Sequence, residues 1–221
     1  MKLIFSGNDY IHKVLVVAHE AGVLDRLEFV VNNPIDERAI IWDYNPLGRH
    51  PVLVLDDGTV LYAGLLSCEY LDSLSRGKRL FPQDATRWKA LTQMVLGDGM
   101  FDAVSVLSVQ ALRPPEQRAH ADNLRNRRRI HECLTVMERD AAHFKDGDFH
   151  IGHVCFAGGL SFLELHNPLR RLGLDPADAT FDWRVGHPAL VRWYDAVIQR
   201  PSLKLRPSDL GVVGTSARRR P

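Results

Sequence analysis

Residues 52 to 72 have the sequence VLVLDDGTVLYAGLLSCEYLD, and this stretch decides how the first part of the chain folds. The runs 52–55 and 59–62 are short and rich in aliphatic residues, as β-strands are. Asp57 and Gly58 between them favour the tight turn that joins two antiparallel strands. The stretch therefore predicts a β-hairpin that continues directly into a helix.

The predicted helix begins on Ala63 and Gly64, whose side chains can neither cap a helix nor hold a ligand. The spacing of its apolar residues indicates that Leu65, Leu66 and Tyr70 face the sheet. The N–H groups of the first turn and the positive end of the helix dipole still favour an anion here. The start of this helix is therefore a candidate binding site.

The residues before the hairpin predict a βαβ unit. The strand candidates are residues 2–5 and 27–31. Between them, one helical face is formed by Ile11, Val14, Leu15 and Ala18. The two strands should be parallel, with a right-handed crossover. Together with the hairpin, this unit predicts a mixed four-stranded sheet with helices packed on it.

The second part of the chain predicts helices and no convincing strand. Trp88, Leu91 and Val95 have the spacing of a buried helical face. Residues 151–165 are apolar nearly all round, which indicates a buried helix, and Gly158-Gly159 within it is best explained by another helix lying close.

The change in character divides the chain into three predicted parts. Residues 1–78 form an α/β domain, residues 79–210 form an all-helical domain, and residues 211–221 form a disordered tail.

The composition is that of an ordinary globular protein, with 45% hydrophobic and 25% charged residues. A net charge of +1 gives no indication of nucleic acid or an anionic membrane as a partner. No run approaches the roughly 20 apolar residues of a membrane helix, and we expect no signal peptide. The three widely spaced cysteines fit a reducing, cytoplasmic setting and form no metal-binding pattern.

Four strings give the chain a resemblance to a known family. They are FSGNDYIHKVLVVAHEAGV, NPLGRHPVLVLDDGTVLYAGLLSCEYLD, LGDGMFDAV and WRVGHPALVRWYDAVIQRPSL, in this order. Over residues 1 to about 207 the chain resembles a cytosolic glutathione S-transferase of the bacterial type. The resemblance implies a thioredoxin-like N-terminal domain, an all-helical C-terminal domain, glutathione as co-substrate and a homodimer.

The resemblance also implies where glutathione binds. Pro51 matches the family's cis-proline, which presents the backbone of the preceding residue, His50, to the cysteinyl part of glutathione. Arg49 is a candidate partner for the glycyl carboxylate. Ala63 and Gly64 occupy the positions where most members have an acid and a serine that hold the γ-glutamyl group.

The change at Ala63 and Gly64 predicts weaker glutathione binding. One lost charge-assisted hydrogen bond is worth about 1.5–3 kcal/mol, which corresponds to about a 10- to 150-fold loss of affinity.

The group that contacts the glutathione thiol remains open between three residues. The family's usual serine position aligns with Asn8, whereas Ser6 and Tyr10 are also close in the sequence. A donor aimed at sulfur favours the thiolate, which is the nucleophile.

A third departure concerns the buried helix. The family opens it with a Ser/Thr-x-x-Asp capping box, whose slots are occupied here by His150 and His153. Imidazole is a poor cap, and we expect partly exposed histidines rather than metal ligands.

The expected function is conjugation or substitution of the glutathione thiolate onto a small, electrophilic, apolar substrate, as in cytoplasmic detoxification. The alternative is a non-catalytic binding or regulatory protein on the same scaffold, since fold does not fix function. A thioredoxin-type redox enzyme is disfavoured because the first loop contains no cysteine.

Overall fold

A four-stranded mixed sheet organises the first part of the chain. The computed structural model describes residues 1–6, 11–33, 39–166, 182–206 and 209–210. The strands are β1 (Lys2–Phe5), β2 (Glu28–Val31), β3 (Val52–Val54) and β4 (Val60–Tyr62), in the spatial order β2-β1-β3-β4. β1 and β2 are parallel and the other two pairs are antiparallel, which confirms the predicted βαβ unit and hairpin.

Three helices accompany this sheet along the chain. They are α1 (His12–Glu20), the short α2 (Ile41–Tyr44) and α3 (Ala63–Ser73), with a 3-10 turn at Leu24–Arg26. α1 contributes the buried run of residues 14–18 and packs beside α3. Ile4, Ala39, Ile41 and Val52 form a buried cluster that joins α2 to the sheet. This mixed sheet with its helices is a thioredoxin-like domain.

The buried face of α3 differs from the predicted one. Leu65 and Leu66 are 39% and 49% exposed. The residues that are buried instead are Gly64, Ser67, Cys68, Leu71 and Asp72. This face consists largely of small residues, so hydrophobicity alone did not reveal it.

The remaining helices within the described residues are mostly long. They are α4 (Arg87–Leu112), α5 (His120–Ala141), α6 (Ile151–His166), α7 (Pro188–Val197) and the short α8 (Pro201–Lys204), with a 3-10 turn at Pro115–Gln117. The chain forms two compact units: Met1–Pro82 together with the chain from Arg200 onward, and Gln83–Gln199. The predicted tail, residues 211–221, lies outside the described residues.

The chain returns to the first unit through α8. The guanidinium of Arg200 donates to Glu20 at the end of α1 over 3.0 Å, and the hydroxyl of Ser202 donates to the same carboxylate over 2.5 Å. Burial raises the pKa of Glu20, but these donors outweigh it and hold the pKa below its usual value. α8 is therefore attached to α1 by a charged contact.

The buried face of α4 also differs from the predicted one. Trp88 and Val95 are 74% and 63% exposed, whereas Met94, Gly97, Met100 and Leu107 face the interior. By length and composition alone this helix could cross a membrane, which the sequence did not lead us to expect. Its buried face packs against α5 and α6, whereas Trp88, Val95 and Val109 on the same helix remain exposed.

Close contact between α4 and α6 depends on glycines from both helices. A Cβ placed on Gly97 would lie 2.5 Å from the backbone carbonyl of Cys155, and one on Gly159 would lie 3.0 Å from the carbonyl oxygen of Gly97. The predicted close helix is therefore α4. Gly158 takes no part, because a Cβ there would have no neighbour within 4 Å.

The start of α6 corrects the expectation that an imidazole caps a helix poorly. The N–H of Gly152 donates to Nδ1 of His150 over 3.1 Å, so His150 caps the helix. His153 is 1% exposed, not partly exposed as expected, and its ring stacks on that of His150 with centroids 3.8 Å apart. His150 therefore replaces the capping hydroxyl of the family's motif.

Replacing Gly97 by alanine should destabilise the protein by at least about 2 kcal/mol, because the new methyl group would overlap rigid backbone of α6. Gly158→Ala is the matched control and should stabilise the protein by up to about 1 kcal/mol through helix propensity. Urea denaturation of both variants measures the two free energies of unfolding. Similar effects of the two substitutions would contradict the close contact.

Candidate functional site

The registers of three strand pairs bring the predicted site residues to one end of the sheet. Phe5 pairs with Val31, Ile4 with Val52, and Val52 with Tyr62. Continuing these registers by one or two residues places Ser6 beside Asn32 and opposite His50, and Pro51 opposite Ala63. Backbone pairing alone therefore assembles the site from four separate segments.

The loop that precedes β3 is held by the amide of Asn45, which is 1% exposed. Its Oδ1 accepts from the N–H of Leu47 over 2.9 Å, and its Nδ2 donates to the carbonyl of Arg49 over 2.8 Å. Gly48 adopts a φ of +62°, a conformation that favours glycine. The bond between His50 and Pro51 is cis, as predicted. The Asn-Pro-x-Gly string thus folds into a defined loop that positions His50.

The side chain of His50 is held by a residue that the sequence did not reveal. Asn32 accepts from the N–H of Ile41 through Oδ1 (3.3 Å), so its Nδ2 faces Nε2 of His50 at 2.9 Å. An amide N–H donates, so Nε2 accepts, and the neutral ring carries its proton on Nδ1. Burial lowers the pKa of His50, in agreement with a neutral ring. A polar residue directly after strand β2 was the available signal for Asn32.

α3 begins without any connecting residue after β4. Tyr62 ends the strand, and Ala63 adopts a φ of +66° at the first position of the helix. This left-handed conformation costs an ordinary residue about 1–2 kcal/mol. Backbone strain of this kind is often found at functional sites. The strain at Ala63 indicates that the candidate site depends more on the position of the start of α3 than on the side chains there.

Lys13, near the start of α1, extends to this helix start. A Cβ placed on Gly64 would lie 2.6 Å from Cε of Lys13, 3.4 Å from its Nζ and 3.8 Å from Cγ of Pro51. Lys13, Pro51 and Gly64 are therefore neighbours. Lys13 was not predicted to contact α3, because no local pattern in residues 11–20 indicates such a contact.

The structure places the remaining candidates as follows. The side chain of Arg49 is exposed, and Ser6 is partly buried directly after β1. Asn8 and Tyr10 lie outside the described residues. Among the described residues, no group of three His, Cys, Asp or Glu side chains could hold a metal ion.

Replacing Ala63 by glycine should raise the free energy of unfolding by about 0.5–1 kcal/mol, because glycine adopts a positive φ without strain. Ala196→Gly, on an exposed face of α7, is the control and should lower it by about 1 kcal/mol. Thermal and urea unfolding measure the free energies of unfolding of both variants. A loss of stability in Ala63→Gly would show that the backbone there is not strained.

Comparison with known proteins gives the site a family context. The family model described as "Glutathione S-transferase, N-terminal domain" matches residues 9–74. The chain is 32% identical in sequence to a glutathione transferase family member from Pseudomonas fluorescens Pf-5, whose crystal structure was solved with bound glutathione. The match covers 91% of this chain and 96% of that one, with a TM-score of 0.76.

Two further relatives agree. A glutathione S-transferase from Methylobacillus flagellatus KT, solved with glutathione bound, is 30% identical over 92% of this chain and 96% of that chain, with a TM-score of 0.78. The GST-like protein YibF of Escherichia coli K12, itself described as uncharacterized, is 26% identical over 91% of this chain and 96% of its own length. With the thioredoxin-like sheet and the mostly helical remainder, this likeness over nearly the whole length shows that the chain belongs to the glutathione S-transferase family.

Proposed function

We propose that the protein binds glutathione in its first unit and transfers the glutathione thiolate to a small, electrophilic, apolar substrate. The observation that supports this most is the meeting of His50, Pro51 and the start of α3 at one end of the sheet. Two relatives at 30% and 32% identity were solved with glutathione bound. A role in detoxification follows from this chemistry.

Each part of the tripeptide has a matching group. The backbone of His50 would pair with the cysteinyl residue, and the exposed guanidinium of Arg49 would meet the glycyl carboxylate. The N–H groups of residues 64–66 at the start of α3 would receive the γ-glutamyl carboxylate. The site therefore binds mostly through backbone, which explains how it tolerates changed side chains.

The reaction requires the thiolate, since a free thiol has a pKa near 8.5. A donor from Asn8, Ser6 or Tyr10 would stabilise the sulfur anion and lower that pKa. The thiolate then forms a C–S bond while the leaving group departs with the electrons of its bond to carbon. The thiol proton passes to solvent. The protein contributes positioning and thiolate stabilisation, and glutathione contributes the nucleophile.

A non-catalytic binding protein is the second candidate function. The observation that favours it is the absence of an acid at Ala63 and of a hydroxyl at Gly64. Weaker glutathione binding alone would not abolish turnover, because the thiol end of the site is separate from these positions. We therefore place transferase activity first.

Retention on immobilised glutathione and turnover of an aryl halide with free glutathione together test the proposed function. We expect retention, elution by free glutathione, and turnover that falls at least 10-fold when the thiol donor is removed. Ser6→Ala, Asn8→Ala and Tyr10→Phe identify that donor, with Lys145→Ala as an exposed control on the second unit. Retention without turnover would support the binding protein. The absence of both retention and turnover would contradict glutathione as the ligand.

We further propose that the protein acts as a cytoplasmic homodimer. In the single chain, apolar side chains that periodicity predicts as buried are exposed: Leu65 and Leu66 on α3, and Trp88 and Val95 on α4. A cavity of about 870 Å³ between α4 and α5 is lined by Val95, Leu96 and Val136 and bordered by arginines. Apolar surfaces of this kind on a family member are best explained by a second copy. The three buried, free cysteines are consistent with a reducing compartment.

Light scattering coupled to size-exclusion chromatography tests the dimer. We expect the mass of two chains for the wild type and a shift toward one chain for Leu66→Glu and Val95→Glu, since a buried unpaired carboxylate opposes association. Val185 is 63% exposed and lies outside α3 and α4. The control variant Val185→Glu should therefore remain dimeric. A monomeric wild type, or variants that all remain dimeric, would contradict these surfaces as the interface.

A further inference from the structure

We propose that Asn32 is a positioning residue for glutathione, which acts through the side chain of His50 and makes binding depend on a neutral imidazole. The inference rests on the proposed function, in which the backbone of His50 pairs with the cysteinyl residue of the ligand. It adds to that function a residue from a distant segment that need not touch the ligand. It also adds a proton whose uptake opposes binding.

The amide of Asn32 has a fixed orientation. The residue is 2% exposed, and its backbone N–H donates to the carbonyl of Phe5 over 2.7 Å. Its Oδ1 accepts from the N–H of Ile41 over 3.3 Å. A flipped amide would turn its NH2 group toward that N–H, so that two donors would face one another. Nδ2 is therefore the atom that points to His50.

The imidazole of His50 matches this amide in one state, the neutral ring with its proton on Nδ1. Nδ2 of Asn32 lies 2.9 Å from Nε2 of His50, so the contact requires Nε2 to accept. Both the imidazolium and the other neutral tautomer carry a proton on Nε2, which would face the amide N–H and break the contact. Burial lowers the pKa of His50, which also favours the neutral ring.

Charged neighbours do not change this preference. The titratable residues on the segments around the ring are Arg49 on the same loop, Asp43 and Tyr44 on α2, and Lys13 on α1. The lowered pKa of His50 is caused by burial, and none of these four residues contributes to it. Within the described part of the chain, the amide of Asn32 is thus the polar group that sets the protonation state of the ring.

The backbone of His50 lies between two anchored points. On one side the carbonyl of Arg49 accepts from Nδ2 of Asn45 over 2.8 Å, and on the other side β3 begins at Val52. The contact with Asn32 ties the residue between them to the end of β2 and the start of α2. Protonation of the ring would break this contact and release the backbone expected to pair with glutathione. Binding should therefore weaken when His50 takes up a proton.

The affinity for S-methylglutathione as a function of pH tests this dependence. The ligand has no thiol, and its carboxylates and ammonium keep their charges between about pH 5 and about pH 7. A base that must be neutral in the complex makes affinity fall below its pKa in the free protein, by up to about tenfold per pH unit. Since the pKa of His50 lies below the ordinary value of about 6.5, calorimetry should give a level affinity near neutral pH. At about pH 5 the affinity should be at least about 3-fold lower.

Three variants assign the pH dependence. His50→Gln places an amide that does not titrate near the position of Nε2, so the ratio of the affinities at pH 7 and pH 5 should be close to one. Asn32→Asp replaces the opposing donor by a carboxylate that favours the protonated ring, so the ratio should be at or below one. Asn126→Ala is the matched control. It removes another buried amide with two hydrogen bonds, in the second unit, and should keep the wild-type ratio.

Nitrogen NMR of the imidazole rings gives a readout that needs no ligand. At pH 7 the ring of His50 should carry its proton on Nδ1, with Nε2 unprotonated. The spectrum of His50→Gln identifies the signals of this ring among those of the 10 histidines.

Each outcome bears on a different claim. An affinity that stays level down to pH 5, a decrease that persists in His50→Gln or Asn32→Asp, or a proton on Nε2 at pH 7 would overturn the role of Asn32. Each of these results would leave the proposed function intact. No binding of S-methylglutathione by the wild type at pH 7 would overturn the proposed function and this inference with it. The pH series and the NMR spectrum of the wild type decide the question even if a variant fails to fold.

Discussion

The direct passage from strand β4 into helix α3 is the constraint on which the site depends. No residue separates Tyr62 from the helix, and Ala63 accepts a positive φ as a consequence. This junction places Gly64 of α3 next to Pro51, whose Cγ lies 3.8 Å from the Gly64 Cβ position. Because the pairing of β3 with β4 positions the junction, the side chains of Ala63 and Gly64 can change while the backbone architecture remains.

One departure from the family's sequence pattern proves to be a replacement when the structure is considered. At the start of α6, the imidazole of His150 accepts the hydrogen bond that a serine or threonine hydroxyl would accept. The physical requirement there is an acceptor for a free N–H at a helix end. Several residue types satisfy such a requirement, so a missing motif residue does not by itself indicate a lost function.

The sheet, the hairpin and the order of the long helices could be predicted because each depends on patterns within a few residues. The buried faces of α3 and α4 could not be predicted, because periodicity detects an apolar stripe without indicating what covers it. The prediction placed Leu65, Leu66, Trp88 and Val95 on the buried faces. The buried contacts instead use small residues such as Gly97 and Ser67. The site shows the same limit: His50 and Pro51 belong to a local motif, but Asn32 and Lys13 enter through contacts between distant segments.

A crystal structure of the protein with glutathione tests the central claim most directly. The γ-glutamyl carboxylate should lie within hydrogen-bonding distance of the Gly64 N–H, with the cysteinyl backbone paired to His50. A tripeptide bound with its glycyl end at α3, or a groove that stays closed by the protein's own side chains in excess glutathione, would contradict it.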